Sequence, residues 1–469
     1  MHILNRNTGL YTDHYELSMA QGYFQSGMGD MPAVFDYFFR NNPYEGGYVV
    51  FSGLEDLLDT LENYRFDRED CVHLEHIGFD REFIGFLKDF RFKADVYAVE
   101  EGEVVFPYEA CVRVEGNIIE TQLIETLLLN ILNFESLIAT KAARIRQVAG
   151  DRILMDFGLR RAHGLGGIHA SKAAIAGGFD KTSNVYSAFQ FGLESTGTMA
   201  HSWVQSFEDE YTSFRTFARI FPENCILLVD TYNTLKSGLP NAIKVGKEME
   251  RTGQKLFGIR LDSGDLAYLS KKGRDMLDSE GLEYVKIVAS NQLDEYVIKS
   301  LTEQSAPIDA FGVGTSLVTG MGAGALDGVY KLCQINGKPR LKISDNITKI
   351  TLPGKKALYR FRDDNGMFTA DGIALDEETD FDIIHHPFEA GKSSNISRCK
   401  KEQLIHKVMH KGRKVSGAKT PGEVSEYVQS RLKFLPGELK RFMNPNIYKV
   451  GISSQLLELR QKLTGKSKF

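Results

Sequence analysis

Short apolar runs that each end in polar or glycine residues restrict the fold of this sequence more than any other feature. Segments long enough for a helix separate the runs, at intervals of roughly 25 to 35 residues where the spacing is regular. Such alternation predicts βα units around a parallel sheet, because a parallel connection needs a crossover. The spacing favours a (β/α) barrel or an incomplete relative of one, and a doubly wound sheet is the alternative. The runs are Ile153 to Phe157, Cys225 to Val229, Leu256 to Leu261, Val285 to Ala289 and Ala310 to Val313.

The sequence on either side of these runs predicts further units. Residues 1 to 120 mix short strands and helices, which is typical of an α+β sandwich domain. Apolar residues at helical spacing then predict a long helix that ends at Gly150, within an α/β barrel domain at residues 121 to 344. We expect residues 345 to 387 to return to the sandwich domain and residues 388 to 469 to form a helical C-terminal extension. Predicted elements outside the barrel are a helix from about Tyr15 to Gln25 and strands at Ala33 to Phe39, Tyr48 to Ser52 and Ala357 to Arg362.

Charge and hydropathy argue against two classes of partner. The formal net charge of -5 gives no general attraction to nucleic acid or to an anionic membrane. No uncharged apolar run reaches the roughly 18 to 20 residues of a membrane span, and the N-terminus does not resemble a secretory signal. The five cysteines are scattered and form no C-x-x-C pair, which argues against a zinc knuckle. We therefore expect a cytoplasmic protein with reduced cysteines.

The segment Phe257 to Asp265 places one arginine and two carboxylates at the end of a predicted buried strand. Arg260 can bind a phosphate through two parallel N–H bonds. Asp262 and Asp265 can accept bonds from ribose hydroxyls or hold a hydrated Mg²⁺. The alternative is a solvated turn that its own polar side chains cap.

Two other strand ends carry residues suited to binding. Phe157 and Arg160 offer an aromatic face and a planar cation, which together can hold an aromatic acid, although the arginine can also pair with surface acids. Gly314 and Thr315 follow the last predicted strand, where glycine lets backbone N–H groups approach a phosphate. An ordinary tight turn is the alternative there.

The remaining candidates are a histidine, an acid and a hydroxyl. His201 lies among small residues near the only tryptophan. An isolated histidine is more often structural, but titration near neutrality suits it to proton or phosphoryl transfer. Asp230 adds an acid at another strand end, and Ser183 lies in a segment rich in hydrogen-bonding side chains.

Five motifs, taken in order, resemble those of nicotinate phosphoribosyltransferases. They are Thr12 to Tyr15, Asp156 to Arg161, Gly197 to Ser202, Arg260 to Asp265 and Gly312 to Thr315. The resemblance implies an α/β fold of the type II phosphoribosyltransferases, in which an incomplete (β/α) barrel packs against an α+β sandwich domain. It also implies a homodimer with active sites at the interface. The implied reaction joins nicotinate to the ribose 5-phosphate of phosphoribosyl pyrophosphate for NAD salvage, with ATP as co-substrate and Mg²⁺ as cofactor.

The resemblance assigns the nicotinate-binding residues. Tyr15, expected from the partner subunit, and Phe157 resemble the two faces that enclose the pyridine ring, with Arg160 near a carboxylate or phosphate. Ser183 lies where a nicotinamide-using relative carries an acid. Because a carboxylate there would repel nicotinate, Ser183 favours the acid substrate.

The resemblance also assigns the residues for the other substrates. Arg260 resembles the contact to phosphoribosyl pyrophosphate, with Asp262 and Asp230 on the ribose and metal side. Gly314 and Thr315 resemble the cradle of the 5-phosphate. In a further assignment, His201 matches the histidine that accepts a phosphoryl group from ATP, and a phosphohistidine there would change affinity at the pyrophosphate end.

Two alternatives to this reaction stay open. The chain could transfer phosphoribosyl groups to nicotinamide or to quinolinate instead of nicotinate. It could also be a non-catalytic phosphosugar-binding barrel. The presence of Arg260, Asp262 and His201 together argues against a barrel that only binds.

Overall fold

The computed structural model describes residues 8–344, 349–389, 391–415 and 417–466. Its contacts divide the chain into two compact units. The first unit comprises Met1–Thr140 and Gly322–Phe469, and the second comprises Lys141–Met321.

The N-terminal part of the first unit combines helices with short strands. Its helices are α1 (His14–Gln25), α2 (Leu54–Glu62), α3 (Arg68–His76), α4 (Arg81–Asp89), α5 (Ile118–Leu123) and α6 (Glu125–Ala149), the last of which continues into the second unit. Its strands are β1 (Pro32–Phe39), β2 (Val49–Val50), β3 (Asp95–Ala98), β4 (Val104–Val105) and β5 (Val112–Asn117). The predicted early helix and the strand at 33 to 39 are confirmed, whereas the predicted long helix is interrupted at Ile124.

The second unit alternates strands with helices. Its strands are β6 (Ile153–Asp156), β7 (Lys181–Thr182), β8 (Ile226–Leu228), β9 (Gly258–Leu261), β10 (Lys286–Ser290) and β11 (Ala310–Val313). Its helices are α7 (Gly166–Ala176), α8 (Val185–Phe191), α9 (His201–Gln205), α10 (Glu210–Ile220), α11 (Leu239–Arg251), α12 (Leu266–Ser279), α13 (Glu295–Glu303) and α14 (Thr315–Val318). The five predicted strands are present, and the two-residue strand β7 was not predicted.

The strand order of the second unit identifies an incomplete barrel. The order is β7-β6-β11-β10-β9-β8, and every neighbouring pair is parallel. The first strand of the series, β6, pairs with the last, β11, as strands do when a barrel closes. A doubly wound sheet keeps its first and last strands apart, so that alternative is wrong. The barrel is open between β7 and β8.

Apolar side chains fill the barrel. Met155, Ile226, Val288 and Ala310, from four different strands, form one buried cluster, and Phe157 packs partly against it. Because both faces of a parallel sheet are covered, its strands read as continuous apolar runs in the sequence. The interior is therefore packed with side chains, as is usual in a barrel.

The C-terminal part of the first unit returns to strands. Its elements are β12 (Gly328–Ile335), β13 (Lys338–Pro339), β14 (Lys356–Arg362), β15 (Phe368–Leu375), β16 (Ile383–His385), β17 (Ser393–Asn395), β18 (Lys400–Gln403), β19 (His406–His410), β20 (Arg413–Lys414), α15 (Pro421–Phe434), β21 (Val450–Ile452) and α16 (Ser454–Lys466). The antiparallel order β13-β12-β1-β5-β3-β19-β20 joins strands from both parts of the unit. A second, mixed sheet has the order β17-β16-β21-β15-β14-β18, and β2 pairs separately with β4.

The observed units begin and end at positions other than those expected of the domains. Leu127, Leu128 and Leu132 on α6 belong to the core of the first unit, so the division falls within this helix and not at residue 120. Strand β12 pairs with β1, which places the second boundary before residue 344. The expected start of the return segment, residue 345, lies outside the described residues.

Residues 388–469 contain the helices α15 and α16, as expected of a helical extension, and also strands that the sequence did not predict. Strands β17 to β20 are mostly exposed and rich in lysine, serine and histidine. Charged residues are common on edge strands, where they hide the apolar alternation that marks a strand. Of the described helices, none has the length and apolar character needed to cross a membrane.

Candidate functional site

Most of the polar residues predicted to carry chemistry lie at the carboxyl ends of the barrel strands. Parallel strands end at one side of a barrel, so loops after different strands share one surface. We call this surface the strand-end rim and define it by the last residues of β6, β8, β9, β10 and β11 and the loops that follow them, together with the loop at 197–201. Hydrogen bonds link most of these loops.

Arg260 on β9 is the centre of the rim, and its side chain is only 11% exposed. Its Nε donates to Ser290 Oγ at 2.9 Å, and its Nη2 donates to Asp262 Oδ1 at 2.9 Å. Its Nη1 donates to Thr198 Oγ1 at 3.1 Å and to the Met199 carbonyl at 3.3 Å. Each guanidinium nitrogen therefore has a partner, and the cation is held in one orientation before any ligand arrives.

Asp262 is held in its ionised form. Burial alone would favour the neutral acid, but the charge of Arg260 and a hydrogen bond from Ser290 outweigh it, and the pKa of Asp262 falls below its ordinary value. His201 contributes in the same direction, with its Nε2 3.8 Å from Asp262 Oδ2. The rim therefore pairs a fixed positive charge with a fixed negative charge.

His201 begins helix α9, and its side chain is 41% exposed. Its Nδ1 lies 3.1 Å from Thr231 Oγ1, in the loop after β8. This contact orients the ring and leaves Nε2 directed toward Asp262. The ring is thus both positioned and open to a ligand.

Asp230 has one occupied and one unoccupied carboxylate oxygen. Its Oδ2 accepts from the Asp262 N–H at 2.8 Å and from the Ser263 hydroxyl at 2.6 Å. Within the described residues, its Oδ1 is buried and has no hydrogen-bond partner. A buried carboxylate oxygen without a partner is costly, so this atom is suited to a cation or to a ligand hydroxyl.

Phe157 follows β6, and its ring centroid lies 5.4 Å from the guanidinium carbon of Arg260. A Cβ atom at Gly312 would lie only 2.4 Å from this ring, so glycine at the end of β11 makes room for it. A Cβ atom at Gly314 would lie 3.3 Å from the Phe157 carbonyl oxygen. The two neighbouring strand ends therefore approach closely around an aromatic ring.

Asp156 positions the loop that carries Phe157. Its buried carboxylate accepts from the Gly158 N–H at 2.8 Å, from Ser171 at 2.7 Å and from Thr182 at 2.8 Å. Burial raises its pKa, although these three hydrogen bonds act in the opposite direction. The Ser183 N–H donates to the Asp156 carbonyl at 2.8 Å, which places Ser183 beside the same loop.

Three predicted residues lie apart from the Arg260 network. Arg160 is exposed in the 3-10 turn Leu159–Arg161. Asp265 caps α12, where its side chain accepts from the Tyr268 N–H at 3.0 Å. Thr315 is the exposed first residue of α14. Capping of α12 thus gives Asp265 a structural role that needs no ligand.

Tyr15 lies in the first unit, on α1, and is 49% exposed. It lines a cleft of about 420 Å³ together with Asp13 and Thr126. The neighbouring Glu16 is buried, which raises its pKa to about 7 despite hydrogen bonds from Thr12 and Thr126. Burial, followed by the nearby acids, also raises the pKa of the Tyr15 phenol.

The sequence interpretation missed Ser290, Asn291 and Gln292. Ser290 ends β10 and bonds both members of the Arg260–Asp262 pair. Asn291 and Gln292 then have positive φ angles of 83° and 45°, which non-glycine residues seldom adopt. Strained backbone of this kind clusters at functional sites, but no local sequence signal announces it here.

Helix α8, which follows Ser183, exposes a row of apolar side chains. Val185 is 71%, Tyr186 is 45% and Phe189 is 85% exposed. Isolated apolar residues at a surface are ordinary, but three on one short helix form a patch. This patch is suited to contact with another protein surface.

Three family models match the chain in order. The nicotinate phosphoribosyltransferase N-terminal domain matches residues 10–133. The nicotinate phosphoribosyltransferase family model matches residues 153–381, and the corresponding C-terminal domain matches residues 355–460.

Relatives and solved structures agree with these models. A nicotinate phosphoribosyltransferase of Bacillus subtilis is 43% identical over 457 residues, which cover 95% of this chain and 92% of the relative. The crystal structure of human nicotinic acid phosphoribosyltransferase superposes with a TM-score of 0.87 at 30% identity, covering 97% of this chain and 99% of that one. A nicotinate-nucleotide pyrophosphorylase from Pyrococcus furiosus gives a TM-score of 0.73 at 25% identity, covering 92% and 98%. Because identity extends along almost the whole of both chains, this protein belongs to the nicotinate phosphoribosyltransferase family.

Proposed function

We propose that this enzyme joins nicotinate to the ribose 5-phosphate of phosphoribosyl pyrophosphate, releasing pyrophosphate and forming nicotinate mononucleotide for NAD salvage. The observation that carries the proposal is the fixed Arg260–Asp262 pair beside the Phe157 ring. An oriented cation suits a phosphorylated sugar, and an adjacent aromatic face suits a pyridine ring. The two reactants would therefore meet at one rim.

Nicotinate binding is assigned to Phe157 on one face of the ring and to Tyr15 of a second copy on the other. The exposed apolar patch on α8 supports a homodimer, because a second copy would cover it next to Ser183. Arg160 is free to approach the carboxylate from its exposed turn. Ser183, which carries no charge, favours nicotinate over nicotinamide.

Phosphoribosyl pyrophosphate is assigned to Arg260, with Gly314 and Thr315 at the 5-phosphate. Asp230 and Asp262 suit Mg²⁺, because Mg²⁺ in such sites is held by one or two carboxylates together with substrate phosphates. The buried Oδ1 of Asp230, which has no hydrogen-bond partner among the described residues, supports this assignment. Bound Mg²⁺ would neutralise charge on the departing pyrophosphate.

The reaction breaks the bond from ribose C1 to pyrophosphate and forms a bond from C1 to the pyridine nitrogen. Because the sugar becomes an oxocarbenium-like cation, the step needs little acid or base assistance and depends on positioning. The low pKa of Asp262 keeps a negative charge at the rim over the neutral range. Arg260 holds the phosphorylated reactant while the ring stacks on Phe157.

His201 is assigned to accept the γ-phosphoryl group of ATP on Nε2, with ADP as the leaving product. The contact from Nδ1 to Thr231 supports this choice of nitrogen, because it leaves Nε2 open. A phosphoryl group there adds negative charge next to Asp262 and changes affinity for the pyrophosphate end. Hydrolysis of the phosphohistidine would then couple ATP to an otherwise reversible condensation.

Incubation with labelled phosphoribosyl pyrophosphate and each pyridine in turn tests the substrate assignment. We expect product with nicotinate and little with nicotinamide or quinolinate. Product with nicotinamide or quinolinate alone would make the substrate assignment wrong. Binding of phosphoribosyl pyrophosphate without turnover would instead favour a non-catalytic barrel.

A cytoplasmic location is part of the proposal. The five cysteines are free, and four of them are buried. Unpaired buried cysteines are typical of proteins kept in a reducing compartment. Fractionation with probes for free thiols in intact cells tests this assignment.

A further inference from the structure

A cleft in the C-terminal part of the first unit has no part in the proposed reaction. It lies between the β16–β17 hairpin and helix α16 and has a volume of about 500 Å³. Small-molecule sites typically measure about 300 to 1,000 Å³, so this cleft has room for more than a simple ion. Residues that define the C-terminal cleft for the argument below are His385, His386, Phe388, Lys392, Arg460 and Thr464.

Among the described residues, Arg460 is the cation of this cleft that has no counter-charge. Its Nη1 donates to the Pro387 carbonyl, which is the one acceptor that the described residues supply. Nor does any described carboxylate lie within 4.0 Å of its guanidinium group. Burial lowers the pKa of Arg460, as expected of a partly desolvated cation that no acid compensates.

The charges around Arg460 do not supply the missing partner. Glu389 is the one acid in the described lining, and it lies 3.2 Å from Lys392 Nζ and 3.2 Å from His386 Nε2. Its charge is therefore matched by Lys392. His386 Nδ1 accepts from the backbone N–H groups of Phe388 and Glu389, and these bonds fix the orientation of its ring.

An aromatic side chain adjoins this cationic region. Phe388 is half-buried, and its ring packs against the edge of Tyr108 at a centroid distance of 4.7 Å. The ring is thus fixed and still lines the cleft. A ligand with both an anionic group and a flat ring would use both features.

We propose that the C-terminal cleft binds a phosphate ester of the size of a nucleoside monophosphate, with Arg460 as the principal contact to the phosphate. Arginine suits this role because its planar fork offers two parallel N–H donors. Phe388 faces the ring of the ligand. The site is separate from the strand-end rim, which belongs to the other unit.

Hydrogen exchange measured on the full chain tests this proposal, because it resolves the two sites. Wild type is titrated with AMP and, separately, with inorganic phosphate, and peptides covering 383–395 and 454–466 report the cleft. We expect AMP to slow exchange in both peptides and inorganic phosphate to act only at higher concentration. Equal titration midpoints for AMP and phosphate would contradict a ligand of nucleotide size. If neither ligand slows exchange in these peptides, the proposed site is wrong.

Variants identify the contact. Arg460→Gln should raise the AMP concentration at the midpoint of protection about tenfold or more, which corresponds to loss of one charged hydrogen-bonded contact. Arg460→Lys should retain part of the affinity, and the exposed Arg441→Gln should match wild type. An Arg460→Gln protein that titrates like wild type would refute the assignment. Nicotinate turnover without AMP serves as the folding control, since Arg460 lies outside the proposed catalytic residues.

Discussion

Two arginines, one in each unit, bind carboxylates in different ways. Arg360 in the first unit is fully buried and bonds Asp371, Glu103 and the Val104 carbonyl, at 2.5 to 3.2 Å. Arg260 at the strand-end rim bonds one carboxylate, two hydroxyls and a carbonyl, and 11% of its side chain is exposed.

The difference separates a structural pair from a binding pair. Two acids enclose Arg360, and Tyr448 donates to Asp371 at 2.9 Å, so the arginine has no side left for a ligand. Arg260 meets mainly neutral acceptors. A phosphate can displace a neutral acceptor at lower cost than it can displace a carboxylate. Similar chemistry thus stabilises the fold in one unit and prepares a binding site in the other.

The largest expected effect is on stability, from Arg360→Leu. Removing this cation leaves Asp371 buried without an ion pair among the described residues and leaves Glu103 paired only with Arg431, which should lower the free energy of unfolding by about 3 to 5 kcal/mol. Urea denaturation followed by circular dichroism measures the change. The control is Arg81→Leu at an exposed pair, where we expect less than about 1 kcal/mol. Similar losses in the two variants would contradict the structural role of Arg360.

Arg260→Gln should have the converse effect, a large loss of activity with a smaller loss of stability. Loss of the oriented cation should lower kcat/KM for phosphoribosyl pyrophosphate roughly 100- to 1,000-fold, as removal of one well-placed donor does elsewhere. Stability should fall less than in Arg360→Leu, because the rim is partly solvated. Steady-state kinetics and urea denaturation together separate the two effects, with the exposed Arg251→Gln as the control. Near-normal turnover would remove Arg260 from the site.

The third prediction concerns His201→Gln, which keeps the shape of the rim without a ring nitrogen. We expect phosphoribosyl transfer to continue, while the rate with ATP falls to the rate without it. Incorporation of label from γ-labelled ATP into the protein should disappear in the same variant. The exposed His163→Gln is the matched control. Persistent ATP stimulation in His201→Gln would place the phosphoryl acceptor elsewhere.

A smaller effect is expected from Gly312→Ala, which tests whether the Phe157 ring needs the space. The added Cβ would lie 2.4 Å from the ring, and overpacking of this kind costs about 1 to 3 kcal/mol. We expect KM for nicotinate to rise about fivefold or more, with a smaller change in kcat. Gly85→Ala on α4, where a Cβ meets nothing within 4 Å, should leave both constants unchanged.

The smallest effect should come from Glu16, whose pKa shift is opposite to that of Asp262. Burial raises the pKa of Glu16 to about 7, so the folded state retains its proton where the unfolded state has lost it. Its contribution to stability is present below the ordinary pKa of 4.5 and is lost as pH rises through about 7. Relative to wild type, Glu16→Gln should therefore gain melting temperature at pH 8 and show little difference at pH 4. The exposed Glu82→Gln should show no such trend.

Sequence patterns were sufficient to predict the barrel, because its strands are buried on both faces and appear in the sequence as continuous apolar runs. Strand β7 has only two residues, and it depends on pairing with β6 and on the hydrogen bond from Thr182 to Asp156. No apolar pattern can indicate such a strand. The C-terminal edge strands were missed for the opposite reason, because solvent allows charged side chains on them.

The site was partly predictable for similar reasons. Arg260 lies on β9 and Asp262 follows it, so parallel topology brings both to the rim. His201 begins α9 and reaches the same place through its contact with Thr231. Ser290 carries no comparable signal, because its role depends on where β10 ends beside β9. Positions of Tyr15 and Arg160 relative to a ligand depend on partners outside one chain, so their roles stay predictions.

The open side of the barrel has a consequence for association between molecules. An uncovered strand edge can template another strand and so seed aggregation. Here the gap is bordered by β7 and β8, which have only two and three residues. The backbone of residues 194–196 also covers β7, since Thr182 N–H donates to the Glu194 carbonyl at 3.0 Å and Thr196 N–H donates to the Thr182 carbonyl at 2.8 Å. The barrel can therefore stay unclosed without offering a long edge on which further chains could polymerise.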